Sequence, residues 1–159
     1  LDDITGASVL SFRMSAPITP HPEDLELIEA AREIIRQRYR PEWHVVGAAL
    51  RTRSGRIWTG VHLEAYVGRI AVCAEAVALG RAITEGDHEI TTVVAVRHPG
   101  YGSGYGSAGE EVVPAIVAPC GMCRELISDY APEAIVLLGP DDQPARTAIR
   151  ELLPEKYRR

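Results

Sequence analysis

All three cysteines of this 159-residue chain fall in two short segments, Cys73-Ala74-Glu75 and Pro119-Cys120-Gly121-Met122-Cys123. If the sulfurs work as a set, the fold must bring these distant segments together. Cys120 and Cys123 have the C-x-x-C spacing that lets one turn offer two sulfurs to one metal, and Cys73 must arrive from another element. Zinc accepts thiolates in a tetrahedral shell, and a catalytic zinc keeps its fourth position for water. Glu75 is out of helical phase with Cys73, so it does not fit as a fourth ligand on the same face. It is close enough to reach a water held there. One Zn2+ per subunit is the expected cofactor, with Glu75 as proton carrier.

Two other readings of the same residues stand beside this one. A histidine could close the shell and make a structural zinc knot, with Glu75 an ordinary surface acid. Cys120 and Cys123 could instead be a dithiol redox pair, which would leave Cys73 and Glu75 unexplained. Three cysteines cannot pair off completely, and C-x-x-C in a reducing compartment more often binds metal or exchanges thiols than staples a fold. A cytoplasmic enzyme is the expected setting. The first residues, Leu1-Asp2-Asp3, lack the basic and apolar regions of a signal peptide. No apolar run reaches the roughly 18 residues of a membrane span.

The 22 acidic residues outnumber the 17 basic ones, giving a net charge of -5. This argues against a broad nucleic-acid footprint. Arg51, Arg53 and Arg56 are the nearest thing to a basic patch, and they read more simply as a solvated hairpin.

Residues 1–20 read as an N-terminal arm, and 21–159 as a single domain of ordinary size. Leu25, Ile28, Ala31, Ile35 and Tyr39 recur at helical spacing and predict a helix over 22–39, broken by Pro41. A small-residue strand over 44–50 turns at Ser54-Gly55 into a second strand over 56–60. His62 and Glu64 follow with matching parity, so their side chains share a face if the strand continues. An alanine-rich helix over 71–84 is expected next, then a central strand over 90–96 that is β-branched on both parities. The glycine-rich stretch from Pro99 to Gly109 lacks the lysine and hydroxyl of a phosphate-binding loop. It reads as a surface loop or as a rim carrying Tyr101 and Tyr105.

An apolar approach over 112–117 leads to a helix over 120–130 with Pro119 in its first turn. A buried strand over 134–139 follows, then an edge strand or helical turn over 146–149. Glu151-Leu152-Leu153-Pro154 closes the fold. Strands alternating with helices predict an α/β domain: a central mixed sheet of about five strands flanked by helices.

With both cysteine segments at helix starts, free backbone donors and the positive dipole end favour thiolates there. Three thiolates on one zinc leave a formal charge of -1, which nearby donors must offset. Arg124 is a candidate donor, unless it points outward. A water polarised by the metal and relieved of its proton by Glu75 can add to an amidine-like ring carbon. Glu75 can then protonate the ring nitrogen and help the amine leave as ammonia.

These residues resemble the zinc-dependent cytidine deaminase superfamily, whose pattern is a metal ligand, one residue, glutamate and a later Pro-Cys-x-x-Cys. The all-cysteine form here is similar to its free-nucleoside branch of cytidine and blasticidin S deaminases. Val46-Gly47-Ala48-Ala49-Leu50, Ser54-Gly55-Arg56-Ile57, Gly60 and the closing Glu151-Leu152-Leu153-Pro154 extend the likeness over about 23–154.

The resemblance implies a cytidine deaminase-like fold and a hydrolase that replaces the exocyclic amine of a cytosine nucleoside, modified nucleoside or small heterocycle with a carbonyl. It also implies a homo-oligomer, a tetramer being favoured. Zinc ligands would be Cys73, Cys120 and Cys123, with Glu75 catalytic. Substrate contacts would come from His44, His62, Glu64, Ala74 and Pro119, and Tyr66, Tyr101 and Tyr105 are candidates for the pocket rim. Cytidine deaminases hold the ribose hydroxyls with Asn-x-Glu, but this chain has His62-Leu63-Glu64, so the sugar contact is altered or lost. His44 stands where the family has an aromatic residue, with Trp43 beside it. Ala76 replaces an arginine that supports the thiolates in many tetrameric cytidine deaminases, a feature more like the blasticidin-deaminating branch. A structural zinc protein and a nucleic-acid cytosine deaminase are the competing readings.

Overall fold

The structure is a computed structural model that describes residues 21–100 and 113–157. The arm expected over 1–20 lies outside the described residues, as do Tyr101 and Tyr105.

α1 (Pro22–Arg38) carries its proline in the first turn, where no backbone donor is lost. It buries Leu27, Ile28, Ala31 and Ile35. Each of the large side chains contributes about 1.5–3 kcal/mol on burial. The expected stripe differs at its start: Leu25 is 49% exposed, and Leu27, two residues on, is buried in its place. Asp24 is buried on the same face and takes Arg146 Nη1 at 2.6 Å on Oδ2. Burial of the charge is offset by that pairing.

The sheet contains β1 (Val46–Thr52), β2 (Ile57–Val61), β3 (Ile90–Arg97), β4 (Ala115–Val117), β5 (Ile135–Leu138) and β6 (Ala145–Ala148). The order is β2-β1-β3-β5-β6, with β4 also paired to β3. There are thus six strands where about five were expected. The added one is β4, which is three residues long and follows Pro114, so it lacks the length and alternation that mark a strand in sequence. One edge of β3 is shared: Thr92 and Val93 pair in parallel with Ile135 and Val136, while Ala95, Val96 and Arg97 pair antiparallel with Val117, Ile116 and Ala115. The ambiguous stretch near residue 146 is an edge strand, β6, antiparallel to β5. A single turn of 3-10 helix, Ile149–Leu152, follows it.

Alternation along the strands supplies two cores. Ala49, Val94, Val96 and Leu137 face α1. Leu50, Val93 and Val136 face the other way, toward α2 (Ala74–Thr84) and α3 (Gly121–Tyr130). Two glycines permit the close approach on each face. A Cβ on Gly47 would lie 2.6 Å from Ala31 O in α1, and one on Gly60 would lie 2.5 Å from Ala78 N and 2.6 Å from Ala74 O in α2. No real Cβ tolerates such contacts with backbone.

Both cysteine-bearing helices start later than expected. Ala71 and Val72 stay extended, with Val72 exchanging backbone hydrogen bonds with Leu63 at 2.9 Å, so α2 begins at Ala74. α3 begins at Gly121, which puts Pro119 before the helix instead of in its first turn.

Candidate functional site

Those shifts place Cys73 and Cys120 at the N-cap positions of α2 and α3, with Cys123 in the first turn of α3. The two helix starts meet on one face of the sheet. Cys73 Sγ lies 3.5 Å from Cys120 Sγ, and the three sulfurs all lie within 4.8 Å of one another. None is in a disulfide. Cys123 is buried, Cys73 half-buried and Cys120 exposed, so the cluster is open on one side.

The electrostatics of the cluster are uneven. Burial pushes the Cys73 thiol up to about 11, helped by its hydrogen bond with Cys120. Burial pushes Cys123 up as well, and the charge of Glu75 adds to it. At Cys120 burial also opposes ionisation. The backbone N–H of Cys123 and the neighbouring thiols outweigh it there and lower the thiol. Burial opposes ionisation of Cys73 and Cys123, and a dication would supply the charge that lets all three sulfurs ionise together. Three soft donors at this spacing, two of them at helix starts, fit a zinc ion.

Glu75, in the first turn of α2, is 7% exposed. Burial raises its carboxyl above the usual range, while a hydrogen bond with Cys123 pulls it back down. A buried carboxyl beside the sulfurs can hold or release a proton at that point.

Beneath the helix start lies a floor of small residues, Ala48, Ala74 and Ala95, with Val46 and Val117 packed against it. Ala74 is fully buried in that floor. Ala48 and Ala95 were not singled out from sequence. Their signal was there: alanines at positions of β1 and β3 that face α2, where larger side chains would fill the space over the sheet.

The other expected contacts fall into two groups. His44 Nδ1 lies 2.8 Å from the carbonyl oxygen of His62, so His44 carries its proton on Nδ1 and is tied to the backbone. His62 Nε2 is 3.6 Å from Glu64 Oε2, which bears out their common face, although β2 ends at Val61. His62 Nδ1 is buried with no hydrogen-bond partner among the described residues. Glu64 Oε1 accepts the N–H of Ala65 at 3.0 Å. Tyr66 is 96% exposed and stands edge-on to Trp43. Pro119 is buried beside Cys120, its carbonyl taken by Arg124 Nε at 3.0 Å. Arg124 therefore does not aim its hydrogen bonds at the sulfurs, nor does it point outward. Its Nη1 bonds to Leu152 O at 3.2 Å.

The basic hairpin is accounted for without a polyanion. Arg51 bonds to Glu23 O and Glu26, Arg53 pairs with Glu89, and Arg56 lies over the Trp58 ring. Among the described residues, no helix is long and apolar enough to cross a membrane.

Residues 22–138 match the family model described as the cytidine and deoxycytidylate deaminase zinc-binding region. Over 137 residues the chain is 49% identical to a blasticidin-S deaminase of Bacillus cereus, covering 86% of this chain and 94% of that relative. Among solved structures it is similar to the cytidine deaminase of Burkholderia pseudomallei, with a TM-score of 0.65 and 29% identity over 84% of this chain and 98% of that one. The cytidine deaminase of Mycobacterium leprae is also similar, with a TM-score of 0.64 and 25% identity over 86% and 100% of the two chains.

Proposed function

Because this chain belongs to the cytidine and deoxycytidylate deaminase family, we propose that Cys73, Cys120 and Cys123 hold its zinc and that Glu75 carries the proton. The enzyme is a zinc-dependent deaminase of cytosine nucleosides. The observation that carries the residue assignment is the meeting of three sulfurs within 4.8 Å at two helix starts, beside a buried carboxyl.

Zinc, when bound, supplies the Lewis acidity that makes water a nucleophile near neutral pH. Glu75 takes the proton that this water gives up as its oxygen bonds to the ring carbon bearing the amine. It returns that proton to the ring nitrogen, and the proton left on the added hydroxyl then passes through Glu75 to the amine, which leaves as ammonia as the carbonyl forms. The balance is one water consumed and one ammonia released, with a carbonyl left on the ring. Burial raises the Glu75 carboxyl above its usual range, the direction that suits a group asked to take up a proton and give it back. Ala74 in the floor and Pro119 beside Cys120 are the proposed walls of the ring site, with Tyr66 proposed for its rim; Tyr101 and Tyr105, the other rim candidates, lie outside the described residues.

The favoured substrate is a cytosine nucleoside with a modified sugar, of the blasticidin S kind. Supporting this are the 49% identity to a blasticidin-S deaminase and the pair at the sugar side. There, His62 and Glu64 meet at 3.6 Å and His44 is pinned to the His62 carbonyl. An imidazole offers one donor and one acceptor where an amide offers more, so ribose hydroxyls are less well served.

Residues 21–159 act as one catalytic domain, with 1–20 as an arm. A cytoplasmic setting suits three unpaired thiols. A homotetramer is the proposed assembly. Leu63, Tyr66, Val67 and Ile70 are exposed apolar residues in the segment between β2 and Cys73, as a covered surface would require.

The test is ammonia release from zinc-loaded protein across cytidine, deoxycytidine and blasticidin S, with Glu75→Gln as control. Blasticidin S is expected to turn over fastest. Glu75→Gln should keep zinc yet lose about 10²–10⁴-fold in rate, the usual worth of a general acid–base. Fast turnover of cytidine at micromolar concentration overturns the sugar reading. Full activity in Glu75→Gln overturns the proton assignment.

A further inference from the structure

Neither cysteine at a helix start caps its own helix. The Cys120 side chain makes no capping hydrogen bond at α3, and Pro119 before it has no backbone N–H to anchor the turn. The peptide that sets the direction of the Cys120 sulfur therefore has to be held by something else.

Arg124 does this from within α3. Its backbone N–H bonds to Cys120 O at 3.0 Å, and its Nε bonds to Pro119 O at 3.0 Å. Two successive carbonyls are thus gripped by one residue. The far end of the same guanidinium, Nη1, bonds at 3.2 Å to Leu152 O, the last residue of the closing 3-10 turn. That turn is seated in the core by Ile149, which is fully buried. Carbonyls at the end of a helical turn have no partner within it, so Leu152 O is free to accept.

We propose that Arg124 is a positioning residue for the zinc site: its rigid fork ties the Pro119-Cys120 turn to the C-terminal turn, and zinc retention depends on that tie. The inference rests on the zinc site proposed above. The fork is the point, because it offers donors in fixed directions to two carbonyls at once. A lysine keeps the charge but presents a single flexible ammonium. Lys156, which pairs with Glu125 and Asp129 on α3, ties the same tail to the same helix without touching the Cys120 turn.

The experiment measures zinc content, zinc release to a competing chelator, and melting temperatures of the zinc-free and zinc-loaded forms. It compares wild type, Arg124→Lys, Arg124→Gln and Lys156→Ala. Loss of a residue that orients a metal ligand costs about 10–100-fold in metal affinity, and both Arg124 variants should show this. The rise in melting temperature on adding zinc should shrink in them, while the zinc-free forms melt near the wild-type value. Lys156→Ala should hold zinc as wild type does. The proposal is overturned if Arg124→Lys holds zinc as tightly as wild type, or if Lys156→Ala loses it equally. It is also overturned if zinc-free and zinc-loaded forms of the Arg124 variants lose the same stability, the mark of a purely structural role. Arg124→Lys decides the matter where Arg124→Gln does not fold. A wild-type protein with no zinc would instead bring down the site assignment itself.

Discussion

Asp87 shows how much a single carboxylate can organise. Its Oδ2 accepts Thr52 Oγ1 at 2.8 Å, Ser54 Oγ at 2.9 Å and Trp58 Nε1 at 3.0 Å, so the loop after α2 is pinned to the β1–β2 hairpin. The hydrogen bond from Trp58, with those from Thr52 and Ser54, holds its carboxyl below the usual range against the opposing effect of burial. A depressed folded value stabilises the fold above the unfolded pKa, about 3.9, and that stabilisation is lost as pH falls through the lower folded value. Asp87→Asn should therefore unfold at lower urea than wild type at pH 7, with the gap narrowing below about pH 4 as wild-type Asp87 protonates. Urea midpoints at several pH values check this, and a gap that stays constant into acid would refute it. Nothing about Asp87 stood out in the sequence, because its three donors belong to other elements. The cysteines and Glu75 did stand out, because sulfur and carboxylate at fixed local spacing restrict the chemistry before any fold is known.

Gly60 and Gly47 make a matched pair of tests among the elements. Gly60 lets β2 press against the first turns of α2, and Gly47 lets β1 press against α1. Alanine at either position must push a helix away from the sheet, costing about 1–3 kcal/mol by overpacking. The functional outcomes should differ. In Gly60→Ala the displaced helix carries Cys73 and Glu75, so kcat should fall along with the melting temperature. In Gly47→Ala the displaced helix is on the opposite face, and kcat of the folded protein should stay near wild type. Equal kcat in the two variants would show that the site does not depend on the seating of α2. Periodicity found α1, α2, α3 and the long strands, since each has enough residues to show its repeat. It missed β4, whose three residues carry no repeat. It also put Leu25 inside in place of Leu27: the buried face runs through Asp24, Leu27, Ile28, Ala31 and Ile35, and Leu25 lies roughly a quarter-turn off it.

The intact assembly sets the last test. Light scattering of the native protein should give the mass of four chains. Ile70→Asp, on the exposed segment before Cys73, should shift it to smaller species, and a native monomer would overturn the proposal. What could be read along the chain was whatever depends on near neighbours: two cysteine segments at helix starts, an acid two residues from a sulfur, and helices alternating with strands. What needed the folded molecule was every pairing across long separations. β3 shares one edge between β4 and β5, Arg124 reaches a carbonyl 28 positions away, and His44 is tied to the backbone of His62. The physical reason is common to all three. A sequence names the donors, but an arginine or an unpaired strand edge can be satisfied by any carbonyl in reach. Which one comes into reach is set by how two cores pack on the two faces of a single sheet.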